Sequence, residues 1–142
     1  MTQRILIATD GSELSQRAAA VAIGLAQTLD AALVGCAALP GYPYHGFGEV
    51  APAESRFLAK AAAAANRHLD EIERGASASG VRFSRVLREG HPDDIILQAA
   101  ESENCDLIVM ASHGRRGVAA LLLGSETQRV LARTRRPVLV VP

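Results

Sequence analysis

The chain has 142 residues, and its 15 basic and 15 acidic side chains cancel, so no global charge draws it to nucleic acid or to a membrane surface. Hydrophobic residues, Ala foremost, make up 49% of it and aromatics only 4%, which suits small-residue helices packed closely on a sheet in a single domain. Two cysteines, Cys36 and Cys105, exclude a disulfide framework and a cysteine metal site, and read as small apolar residues in or beside buried strands.

Met1 to Arg4 leads directly into the apolar run Ile5-Leu6-Ile7-Ala8, the pattern of a fully buried parallel strand. That beginning lacks the long apolar region of a signal peptide, and no stretch approaches membrane-spanning length, so the expected location is the cytoplasm. Thr9-Asp10-Gly11-Ser12 breaks the strand and supplies a turn and candidate N-caps. Leu14, Ala18, Val21, Ala22 and Leu25 then recur at helical spacing from Glu13 to about Leu29, and a second strand follows around Ala32–Ala38. Strand, helix, strand opens a right-handed βαβ unit.

Residues 39–53 hold three Pro and three Gly and predict irregular structure, a lid or flap. A long Ala-rich helix is predicted from Glu54 to about Ser79, with Leu58, Ala61, Ala65, Leu69, Ile72 and Ala76 on one face and Gly80 just beyond its end. Val81–Leu87 reads as a third strand. Pro92 opens the next helix, with Asp93 and Asp94 in its first turn. Asp106–Met110 is a fourth strand. Ser125-Glu126-Thr127-Gln128 reads as a capping box, Ser at the N-cap and Gln at N3, starting a helix that ends in basic residues near Arg136. Pro137–Val141 is the last strand. Five strands alternating with four helices predict an α/β fold, a five-stranded parallel sheet covered on both faces.

In such a sheet ligands bind beyond the carboxyl ends of the strands, at the switch in strand order. Two segments qualify. One is Ala8-Thr9-Asp10, leaving the first strand. The other is Met110-Ala111-Ser112-His113-Gly114-Arg115-Arg116-Gly117, leaving the fourth, with Gly124-Ser125-Glu126-Thr127 opening the helix beyond. Glycines permit close approach of backbone to a ligand, a helix N-terminus offers unpaired N–H groups, and Arg115 and Arg116 add positive charge, a chemistry suited to phosphate. Neither a Walker loop nor a Gly-x-Gly-x-x-Gly turn is present.

Here the chain resembles the universal stress protein family. Members that bind ATP carry Gly-x-x-Gly, nine residues and Gly-Ser/Thr after the fourth strand; this chain reads Ala111-Ser112-His113-Gly114, nine residues, then Gly124-Ser125, with Ala111 in place of the first glycine. The opening Ile5–Ser12, Gly90-His91-Pro92 and the terminal Pro137–Val141 are also similar to the family. The resemblance implies ATP as ligand, Asp10 meeting magnesium through water or bonding ribose or phosphates, and main chain at about Ala37 reading the adenine edge. It also implies a homodimer paired through the terminal strand, Val138–Val141, an apolar edge that nothing later in the sequence covers.

Each of these residues also has a plainer role. Asp10 suits a turn whose carboxylate satisfies backbone N–H groups, Ser125 suits a helix cap, and Arg133, Arg135 and Arg136 suit the C-terminal end of the last helix. Ala111 is costly only if its position demands positive φ. Glu126 favours the helix dipole but opposes a phosphate bound there. His113 lacks an Asp or Ser partner at fixed spacing, so no catalytic residue and no protein metal ligand is assigned. His45 and His68 read as solvated. The expected function is therefore a dimeric, nucleotide-binding regulator of stress responses that is not a conventional enzyme. A member that has lost nucleotide binding and serves as a dimeric interaction module is the alternative, and a slow ATP hydrolase is the third reading. A phosphorelay receiver is disfavoured, because Leu87-Arg88-Glu89 lacks the acceptor Asp.

Overall fold

The structure, a computed structural model, describes residues 2–41, 52–113 and 123–142. Its elements in chain order are β1 (Arg4–Ala8), α1 (Glu13–Leu29), β2 (Ala32–Leu39), α2 (Pro52–Ala78), β3 (Phe83–Glu89), α3 (Pro92–Ser102), β4 (Leu107–Ala111), α4 (Ser125–Arg133) and β5 (Val138–Val141). All four strand pairings are parallel, and the sheet order is β3-β2-β1-β4-β5.

Alternation along each strand sends its side chains to two cores. Ile5 and Ile7 of β1, Val109 and Ala111 of β4 and Val141 of β5 pack with Ala18, Ala22 and Ala26 of α1 and Ile72 and Ala76 of α2. Leu6, Ile108 and Met110 pack on the other side with Ile95, Ile96 and Ala99 of α3 and Val130 of α4. The alanines explain the low aromatic content, since a small side chain lets a helix axis approach the sheet. Gly35 of β2 carries this furthest: a Cβ there would stand 2.7 Å from Phe83 and 3.0 Å from Leu69.

Several boundaries differ from the sequence reading for local reasons. α2 begins at Pro52, so the irregular segment is shorter than 39–53, with Leu39 belonging to β2; residues 42–51, including His45, lie outside the described residues. Gly80 does end α2 in the left-handed region, at φ 68°, and the cap draws the N–H of Val81 onto the Ala76 carbonyl at 2.8 Å. With that donor used, β3 starts two residues later than expected, at Phe83. At the start of β4 the Asp106 carboxylate accepts the N–H groups of Gln3 and Arg4 at 2.7 and 2.9 Å, clamping the amino end of the sheet. Those two backbone bonds hold its carboxyl below the ordinary aspartate range. Arg133 serves a neighbouring helix rather than its own terminus, reaching Asp93 at 2.6 Å and Asp94 at 2.7 Å in the first turn of α3.

Candidate nucleotide-binding cleft

The strand order reverses between β1 and β4, whose connections leave toward opposite sides of the sheet, and the crevice opens at their carboxyl ends. A cleft of about 120 Å³ lies there. Ala8, Thr9 and Asp10 line it from β1, Met110, Ala111 and His113 from β4, and Glu126 and Thr127 from α4. These eight were singled out from the sequence. Gly114, Arg115, Arg116 and Gly117 lie outside the described residues.

The β1 turn is held by its own side chains. Asp10 is exposed and its Oδ1 accepts the N–H of Ser12 at 2.9 Å, which is the plain turn role anticipated for it. Ser12 caps α1 by accepting the Ser15 N–H at 3.2 Å. Thr9 Oγ1 accepts the N–H of Gly11 at 3.2 Å and lies 3.2 Å from Ser15 Oγ. Gly11 has φ 80°, and a Cβ on it would strike the imidazole of His68. His68, read as solvated, is instead half-buried against this turn, so α2 braces the cleft from behind.

The other wall is tied together through Ser112. Its N–H donates to Val141 at 2.9 Å, and its carbonyl accepts the N–H of Gly124 at 2.8 Å. The hydroxyl of Thr127, a residue 3% exposed, lies 2.9 Å from the Ala111 carbonyl and 3.3 Å from that of Ser112 and donates to this pair. Thr127 thus anchors α4 on β4. Ala111 is extended strand in register with Val141, outside the left-handed region, so its Cβ imposes no backbone strain.

The capping box is not formed. Gly124 is the N-cap, at φ −62° and ψ 155°, and its carbonyl takes the first helical bond from the Gln128 N–H at 3.0 Å. The Gln128 side chain donates to the Leu123 carbonyl at 2.7 Å, and Ser125 becomes the first helical residue. The bond from Gly124 to Ser112 sets this register, and sequence spacing alone could not show it. The first N–H groups of α4 remain unspent by the helix, at the edge of the cleft.

Some neighbours were missed from the sequence. Cys36 and Ala38 line the cleft, whereas Ala37, the position chosen for the adenine, is buried but not on it. Strand alternation gives the reason: neighbours of a residue in a strand face the opposite side. Ser15, Pro92 and Ile96 also line it, brought there by α1 and α3. Ser112, Gly124 and Ser125 lie beside the cleft without lining it. Burial pushes the Cys36 thiol up to about 12, which makes it an apolar wall and not a nucleophile. His113 does have a serine partner, Ser112 Oγ at 3.0 Å from its Nδ1, but that serine is 8% exposed and off the cleft lining.

Among the described residues no three His, Cys, Asp or Glu side chains are grouped to hold a metal, and no helix is long and apolar enough to cross a membrane. The model of the universal stress protein family matches residues 1–142. A universal stress protein of Thermus aquaticus, from the 3′ region of a QAH/OAS sulfhydrylase, is 40% identical over 99% of this chain and 99% of its own. Among solved structures, UspA of Lactobacillus plantarum superposes with a TM-score of 0.90 over 99% of this chain and 98% of that one, at 24% identity. A universal stress protein crystallised in complex with cAMP has a TM-score of 0.70 at 26% identity, covering 99% and 96% of the two chains.

Proposed function

The chain belongs to the universal stress protein family, and from that premise we propose that its switch-point cleft binds an adenine nucleotide, ATP with Mg²⁺, as a regulatory ligand. The observation that carries this reading is the cleft at the carboxyl ends of β1 and β4, which faces the unspent N–H groups at the start of α4. The relative bound to cAMP supports the adenine part. Cys36, Ala38, Ile96 and Met110 supply an apolar wall for a base, and Asp10 and Thr127 bring polar atoms to the same cavity.

Asp10 is the carboxylate suited to a magnesium ion, being exposed on the cleft. With no three-residue metal group among the described residues, the ion would enter on the phosphates and neutralise their charge beside Asp10. Regulation fits better than turnover. The serine next to His113 is buried away from the cleft, and no described side chain there is an activated nucleophile. Steady phosphate release at or above about 1 s⁻¹ would overturn that part of the proposal.

Mass spectrometry of protein purified without added nucleotide, native and then denatured, tests the ligand directly, and co-purified ATP or ADP is the expected result. Calorimetry follows with Gly124→Val, which puts a branched side chain beside the first N–H groups of α4 and should abolish ATP binding. The backbone of Gly124 is one that Val adopts, so the variant should fold, losing about 1 kcal/mol as a poorer N-cap. Absence of ATP binding by the wild type at millimolar ligand would leave the dimeric interaction module as the surviving function.

A further inference from the structure

His68 of α2 reaches the cleft through the turn that follows β1. A Cβ on Gly11 would fall on its imidazole, on Cε1 and both ring nitrogens, so the ring lies in van der Waals contact with that backbone. Gly11 is at φ 80°, in the left-handed region that glycine adopts without strain. Thr9 and Asp10, the two residues before it, line the cleft, and Thr9 also lines a second cavity, of about 210 Å³, behind the turn. His68 and Glu71 give that cavity its α2 side, and Gln16, Ala20 and Ile23 its α1 side. Beside the ring, Thr9 thus faces open space rather than packed side chains, which makes the imidazole the brace that α2 gives this turn. Leu69 and Ile72, close to His68 on the helix, are buried, so the packing of α2 fixes the height of the ring over Gly11.

We infer that His68 is a positioning residue for the nucleotide: its ring holds the β1 turn in the form that presents Thr9 and Asp10 to the cleft, and the same contact passes occupancy of the cleft to α2. The inference rests on the adenine-nucleotide reading above and supplies its regulatory route. A close-packed contact transmits displacement, so a ligand that shifts the turn must move the ring or be opposed by it. The coupling is reciprocal, and a placement of α2 that favours the bound turn is itself favoured by the ligand. Cys36, Ala38, Ile96 and Met110, the apolar wall of the cleft, stand on β2, α3 and β4, so His68 acts on the part of the ligand that meets Asp10 and not on the base.

The test uses His68→Ala, which removes the ring from an Ala-rich helix, and His68→Phe, which keeps a planar ring against Gly11. In the ligand-free proteins, NMR should show faster solvent exchange of the Gly11 and Ser12 amides in His68→Ala and wild-type rates in His68→Phe, since these amides bond Thr9 Oγ1 and Asp10 Oδ1 within the turn. In calorimetry His68→Ala should bind ATP with Mg²⁺ about tenfold more weakly, an ordinary strength of coupling between sites, with adenosine affinity within about twofold of wild type. His68→Phe should keep both affinities. Added ATP should shift the Leu69 and Ile72 amide resonances in wild type and leave them in place in His68→Ala. Equal losses for ATP and adenosine, or a loss in His68→Phe matching that in His68→Ala, would show a merely structural role and overturn the inference. Unchanged exchange and affinity in His68→Ala, or α2 resonances that ignore bound ATP in wild type, would overturn it as well. If exchange accelerates in His68→Ala but neither ligand binds any of the proteins, the nucleotide reading falls and the positioning of the turn stands.

Discussion

Ala111 lies on β4 in register with Val141, a residue 8% exposed in the core that α1 covers. Glycine there would gain no needed conformational freedom and would add chain entropy to the unfolded state. Ala111→Gly should therefore cost about 1 kcal/mol of stability, from backbone entropy and the lost methyl, and should leave ATP affinity within about twofold. Denaturant unfolding and calorimetry measure the two quantities. A tightening of tenfold or more would show that Ala111 obstructs the ligand after all. Thr127 gives the complementary lesson, because its hydroxyl holds the Ala111 and Ser112 carbonyls and so shapes the cleft wall by positioning α4.

Helices and strands here are joined by few, well-defined polar clamps. Asp106 at the head of β4 is one, bonding Gln3 and Arg4 as β1 begins and thereby fixing the neighbouring strands at their amino ends. Because those N–H groups bond the ionised form, its folded pKa is depressed. A depressed carboxyl contributes stability above its unfolded pKa, about 3.9, and that contribution is lost as pH falls through the folded value. The exposed site makes the effect small. Between pH 5 and pH 3 the urea midpoint of the wild type should fall further than that of Asp106→Asn. Parallel pH profiles for the two proteins would refute the clamp's role. Arg133 is the second clamp, tying α4 to the first turn of α3, whose Pro92 lines the cleft. Helix spacing predicted both helices, but only folding shows that Arg133 bonds acids forty residues away and not its own helix end.

At the scale of the whole molecule, β5 is an edge strand carrying the apolar sequence Val-Leu-Val-Val. Leu139 is 37% exposed, while Val141, on the same face, is 8% exposed and belongs to the core under α1. An apolar edge with free backbone donors and acceptors favours pairing with a second copy, and a homodimer through β5 is the assembly we propose. Sedimentation should find wild-type dimers at micromolar concentration and Leu139→Lys monomers of unchanged circular dichroism. A monomeric wild type would refute it. Val141→Lys is not an equivalent test, since burying a lysine in the core would unfold the protein for reasons unrelated to association. The sequence marked both residues as edge positions, and only the packed sheet separates them.

The sequence by itself determined the order and kind of the nine elements among the described residues, the parallel sheet and the two segments that meet at the switch point. Those features follow from periodicity and from turn chemistry, which act over a few residues, and they were legible at Ile5–Ala8, at Gly80 and at Pro92. The family was legible too, in the spacing from Ala111 to Ser125. Tertiary structure decided what depends on groups distant along the chain. The Ser112 carbonyl made Gly124, rather than Ser125, the cap of α4. Strand register placed Cys36 and Ala38 on the cleft in place of Ala37. Packing of α2 brought His68 against Gly11. In each case a hydrogen bond or steric contact between residues far apart in sequence chose among alternatives that local propensity leaves nearly equal in energy, so no local pattern could reveal the outcome.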